Sequence, residues 1–139
     1  MSVAFDIDVI LDESIEVKGH IGSATMILFH GECRTDFFTG KILPGAVDTQ
    51  SGLAGKPWML SARYILEGRD SSGHNCRIFV ENNGTVMLGG EICTKPRFFT
   101  DSAELAWLED ADFEGAVIPT EKGVKIHFRQ NNPVNECKP

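Results

Sequence analysis

Trp58-Met59-Leu60-Ser61-Ala62-Arg63-Tyr64-Ile65-Leu66-Glu67-Gly68 is the stretch that decides the fold. Trp58, Leu60, Ala62, Tyr64 and Leu66 fall on one side of an extended chain, with Met59, Ser61, Arg63, Ile65 and Glu67 on the other. That is the period-two signature of a strand rather than a helix. The polar loop Arg69-Asp70-Ser71-Ser72-Gly73 follows, and the segment from His74 to Glu81 returns as an antiparallel partner.

The same pattern spreads outward in both directions. Phe5-Asp6-Ile7-Asp8-Val9-Ile10-Leu11 alternates apolar residues with acids, breaks at Asp12-Glu13-Ser14 and resumes at Ile15-Glu16-Val17. Ala24 to Cys33 is rich in strand formers. Gly31 and Gly40 have the look of glycines placed where a sheet coils tightly. Leu43-Pro44-Gly45 is a corner, Ala46 to Gln50 a short strand and Leu53 to Pro57 a loop. Asn82-Asn83-Gly84 has the chemistry of a type I′ hairpin turn. Phe113 to Ile118 and Val124 to Phe128 are closing strands. Only Thr100 to Leu108 reads as helical, two turns at most, with Thr100 or Asp101 as cap and Glu104 completing a capping box.

Strands joined by frequent turns, without alternating helices, predict an all-β domain. Its form is an antiparallel up-and-down β-barrel over residues 1–129, with one short helix at one end and a flexible polar tail over 130–139. The length of 139 residues suits one domain, and at that size roughly two-thirds of the unfolded surface is buried. Nine Phe against one Tyr and two Trp point to a core built on phenylalanine.

Charge narrows the function classes. A net charge of −7 with scattered Lys and Arg argues against nucleic acid and against an anionic membrane surface as partners. The acidic start lacks a secretory pattern and no stretch approaches ~20 consecutive apolar residues, so cytoplasmic residence is expected. Cys33, Cys76, Cys93 and Cys137 share no short spacing, which favours buried thiols over a zinc site or a disulfide framework. His74 and Cys76 share a strand face without further ligands, so no metal is expected, and no glycine-rich phosphate loop precedes a helix, so no cofactor is expected. Ser23, His20 and Asp48 form no better a triad than chance supplies.

Gly40-Lys41-Ile42-Leu43-Pro44-Gly45-Ala46-Val47-Asp48, Ala62-Arg63-Tyr64, Ile78-Phe79-Val80-Glu81-Asn82-Asn83-Gly84, Thr94-Lys95-Pro96-Arg97-Phe98-Phe99-Thr100 and Ala106-Trp107-Leu108 occur in that order. Together they resemble domain of unknown function 3237, also called uncharacterised protein family 0311. The resemblance implies a small barrel, calycin-like or allene-oxide-cyclase-like, of the kind used for apolar or aromatic ligands. It implies no established activity.

Candidate site residues follow from chemistry at strand positions. Asp48, past the corner, suits a general acid or base if burial raises its pKa, and equally suits a turn-capping carboxylate. Arg63 is the second candidate catalytic residue, because an inward guanidinium needs an acid, and an Asp48–Arg63 pair would anchor an anionic or carbonyl ligand. Tyr64 must face opposite to Arg63. Tyr64, Asn82, Thr94, Arg97 and Trp107 make up the candidate ligand-binding set. Arg97 and Trp107 suit stacking on a flat ligand at a barrel mouth beside the helix, while Trp107 and Tyr64 also read as packing residues and Asn82 as a turn residue.

Two functions stand side by side at this stage. One is a barrel binding a small apolar or aromatic metabolite and steering its isomerisation, cyclisation or hydrolysis. The other is a non-catalytic, homo-oligomeric binding or assembly module, suggested by strands that are apolar on both faces, with a dimer as the default because oligomers are usually symmetric.

Overall fold

The computed structural model describes residues 3–86, 89–90 and 92–131. Among the described residues nine strands form one sheet: β1 (Ala4–Lys18), β2 (Gly22–Arg34), β3 (Phe38–Ile42), β4 (Val47–Leu53), β5 (Trp58–Asp70), β6 (Asn75–Val86), β7 (Ile92–Thr100), β8 (Phe113–Pro119) and β9 (Gly123–Gln130). A 3₁₀ turn, Ala103–Leu105, and one α-helical turn, α1 (Trp107–Asp110), lie between β7 and β8. All strand pairs are antiparallel. Because β1 pairs with both β9 and β2, the sheet closes on itself. The barrel has eight staves, one of them shared end to end by β3 and β4, which both lie between β2 and β5. The corner at Leu43–Ala46 is where that stave is broken.

Side-chain alternation puts Phe5, Ile7, Val9, Phe29, Tyr64, Leu66, Val80, Phe98 and Phe128 in the core. Phenylalanine does most of the filling at one end. Phe5, Phe98, Phe113 and Phe128 meet with ring centroids 5.4–6.0 Å apart. Leu105 and Leu108 close that end as a plug. Close strand approach explains two in-strand glycines: a Cβ on Gly31 would lie 1.9 Å from the Asp8 carbonyl oxygen, and one on Gly40 would lie 2.5 Å from that of Glu67.

Several local expectations need correction. The break at Asp12-Glu13-Ser14 is a register shift inside a continuous β1, since Leu11 opposes Phe29 while Ser14 opposes Ile27. Asn82-Asn83-Gly84 is not a turn: these residues pair with Ala62, Ser61 and Leu60 in mid-β6, and the Ser61 hydroxyl donates to Asn83. The long cross-strand ladder outweighs the local turn preference. The chain reverses after Val86, where Gly89 and Gly90 have positive φ. Ser102 caps the 3₁₀ turn, its hydroxyl accepting from the Leu105 amide, while α1, with Ala106 at its N-cap, has no side-chain cap, and the Thr100 amide donates to Glu109 rather than the box closing through Glu104.

Cys33 and Cys76 are free and buried, whereas Cys93 is disulfide-bonded, contrary to the all-thiol expectation. Gln130 ends β9, and the remainder of the expected tail, residues 132–139, together with Cys137, lies outside the described residues. No helix among the described residues is long and apolar enough to cross a membrane.

Candidate functional site

The end of the barrel opposite the phenylalanine plug holds a cavity of about 190 Å³ inside the lumen. Its walls are mostly aliphatic, from Ile27, Leu60, Val117 and Ile126, and its polar groups are Asp48, Gln50, Asn82 and Thr94. Each polar group arrives by strand alternation. On β4, Asp48 and Gln50 are two apart and share the inward face, and Asp48 opposes Ala62, which opposes Asn82 on β6. Ala62 leaves open space between the carboxyl and the carboxamide. Thr94 on β7 faces two glycines, Gly84 and Gly115. A Cβ on Gly115 would lie 2.3 Å from the Thr94 hydroxyl, so the missing side chain is what admits this residue.

Trp58 and Gln50 set the orientation of Asp48. The Trp58 indole N–H donates to Gln50 Oε1 at 3.0 Å, and Gln50 Nε2 donates to Asp48 Oδ2 at 2.8 Å. Asp48 Oδ1 is left buried with no hydrogen-bond partner among the described residues. Burial pushes the Asp48 carboxyl above its ordinary range, and the Gln50 hydrogen bond only partly offsets this. Asn82 Oδ1, Thr94 Oγ1 and the Tyr64 hydroxyl are likewise buried and unpartnered. Tyr64 lies one inward position beyond Ala62, edge-on to Phe29, and burial, with Cys33 adding to it, keeps its phenol protonated far into the alkaline range. An unpaired buried polar atom costs about 1–3 kcal/mol, and three of them, on Asp48, Asn82 and Thr94, line this one cavity.

The structure therefore brings Asp48, Tyr64, Asn82 and Thr94 to one lumen and separates the other three candidates from it. Asp48 and Arg63 do not pair. Because Asp48 opposes Ala62, its neighbour Arg63 points out of the barrel, where it meets Glu81 at 2.9 Å. Arg97 joins the same Glu81 at 3.1 Å and stacks over Phe99, also outside. Trp107 packs on Phe37 and Phe113 at the plug, the end away from the cavity. The mouth is thus not beside the helix. Gln50 and Trp58 join the site although neither is among the sequence candidates; the two-residue spacing of Asp48 and Gln50 on a strand is the signal that points to Gln50. No cluster of three metal-ligating side chains occurs among the described residues.

This arrangement can hold a small molecule in an apolar sleeve, offer it hydrogen bonds at one level and exchange a proton with it at Asp48 Oδ1. The family described as "Protein of unknown function (DUF3237)" matches residues 1–130. The chain belongs to this family.

Solved structures similar to this DUF3237 chain share the barrel. A protein with unknown function from Clostridium acetobutylicum is 25% identical, with a TM-score of 0.78, over 95% of this chain and 99% of that one. A conserved protein of unknown function from Rhodopseudomonas palustris is 20% identical, with a TM-score of 0.75, over 94% and 97%. An enzyme from Penicillium herquei is 14% identical, with a TM-score of 0.71, over 94% of each chain. No curated protein matches the sequence.

Proposed function

We propose that this DUF3237 barrel binds a small apolar or aromatic metabolite in the lumen and that Asp48 exchanges a proton with it. The observation that carries this reading is the set of unpartnered buried atoms on Asp48, Asn82 and Thr94, all lining the cavity at the end of the barrel where the lumen is open. Water satisfies such atoms when nothing else is present, and a ligand with matching polar groups displaces it. A carboxyl raised by burial and held from behind by Gln50 and Trp58 suits general acid–base work. Among the reactions a small barrel hosts, proton-transfer steps such as isomerisation or cyclisation fit best, because among the described residues no Ser, Cys or His lines the cavity as a nucleophile for hydrolysis. That a similar fold from Penicillium herquei is an enzyme is compatible with this and supplies no reaction.

The test is a fragment library screened by ligand-observed NMR against the parent and an Ala62→Phe variant, in which a ring fills the space between Asp48 and Asn82. Hits lost in the variant support the proposal. Hits that survive it, or a library with none, contradict it.

A second reading is favoured by a separate observation. The strand ends beyond the barrel expose Ile15, Val17, Ile21, Leu53 and Met59, each more than half accessible, beside an open apolar groove of about 850 Å³. Such a face suits self-association. Light scattering at micromolar concentration is expected to give twice the chain mass, with Val17→Lys returning it to the monomer value.

A further inference from the structure

Resting on the lumen-binding reading, the cavity also carries a statement about ligand class. Three features define what fits. The first is size: a cavity of about 190 Å³ is slightly larger than the engineered 150 Å³ cavity that admits benzene, so the guest is of single-ring dimensions. The second is charge: no Lys, Arg or His lines the cavity among the described residues, and Arg63 and Arg97, on the strands that carry Ala62 and Thr94, both pair with Glu81 outside the wall. An anionic guest would bring a second negative charge beside Asp48, in an apolar site, with nothing to neutralise it. The third is hydrogen-bond polarity. Gln50 already occupies Asp48 Oδ2, and Asp48 Oδ1, Asn82 Oδ1 and Thr94 Oγ1 remain open.

From these features we infer that the lumen takes an uncharged, single-ring-sized molecule carrying a hydroxyl group at the end that reaches Asp48 and Asn82, and rejects carboxylates and phosphates. A hydroxyl suits this site in either state of Asp48, because it donates to the carboxylate and accepts from the carboxylic acid. It also gives Asn82 Oδ1 or Thr94 a partner in the same plane of the barrel. A purely apolar ring fills the volume and leaves every polar atom unpaired.

The experiment uses phenol, toluene and benzoate as probes at pH 7, followed by the side-chain amide signals of Asn82 and Gln50 and the indole N–H signal of Trp58 in ¹H–¹⁵N spectra. Phenol is expected to shift these signals with an affinity about tenfold above that of toluene, the ratio one good hydrogen bond supplies. Benzoate is expected to leave them in place at a hundredfold higher concentration. In Asp48→Leu, and independently in Thr94→Val should the first variant fold poorly, the advantage of phenol over toluene shrinks. Benzoate binding as well as phenol at the same signals, or toluene matching phenol, overturns the assignment of ligand class and leaves lumen binding standing. If none of the three probes moves the lumen signals, both the class and the binding reading fall.

Discussion

At the scale of single residues, two buried acids behave oppositely and their environments say why. Asp48 is desolvated with one side-chain hydrogen bond, so its folded pKa lies above the ordinary 3.8. Its native form therefore holds a proton more tightly than the unfolded chain does, and stability declines as pH rises from about 4 through the raised value. Asp48→Asn, which keeps the acceptor for Gln50 and removes the charge, should melt a few degrees higher than the parent at pH 7, with the gap closing below about pH 4. Asp70 is the reverse case. Desolvation works to raise its pKa, but the Ser102 hydroxyl at 2.8 Å and the His74 and Ser72 amides outweigh it and hold the carboxyl low. Its contribution is present above the ordinary value and lost as pH falls through the lowered one. Cys33 offers a third check. Burial, then the charges of Asp8 and Asp6, push its thiol up to about 12, so it carries almost no thiolate at pH 8. Peptide mapping after exposure to an aromatic disulfide reagent should find Cys33 unmodified in the native protein and modified once it is unfolded.

Elements are where sequence and structure agree unevenly. Strands with strict alternation, such as Trp58 to Leu66, were legible because burial of one face imposes period two. Asp48 stood out by its place past the Pro44-Gly45 corner, where a turn-capping carboxylate reads equally well, and neither its inward direction nor its partner was legible. Whether Arg63 or Tyr64 entered the lumen depended on the β4–β5 register, which pairs Asp48 with Ala62, and a register shift of one residue would have reversed every side chain. Asn82-Asn83-Gly84 misled because its turn chemistry is real and was overridden by two long neighbours, while the glycine serves Thr94 instead of a reversal. The relay from Trp58 through Gln50 to Asp48 was invisible because it joins two strands whose pairing no local pattern states. Strand closeness can be tested directly. Gly31→Ala places a methyl group against the Asp8 carbonyl and should cost about 1–3 kcal/mol by denaturant titration. Asp70→Ala frees the β5–β6 hairpin from Ser102 at the plug and should lower the melting temperature at pH 7, with a smaller difference in acid.

At the scale of the whole molecule the barrel is asymmetric along its axis. One end is filled by Phe5, Phe98, Phe113 and Phe128 beneath Leu105 and Leu108; the other is hollow and carries the unpartnered polar atoms of Asp48, Asn82 and Thr94. The packed end supplies the stability that allows the open end to keep buried groups unpaired, a division of labour expected where a fold supports a site. Arg63 and Arg97 belong to the outer wall and Trp107 to the packed end, so a guest in the lumen meets only the residues of the hollow end. A crystal structure of the protein soaked with phenol shows whether the lumen binds. Lumen binding predicts a ring inside the barrel with its hydroxyl within hydrogen-bond distance of Asp48 Oδ1 or Asn82 Oδ1. A lumen closed by repacked aliphatic side chains, or phenol bound only on the outer surface, would contradict it.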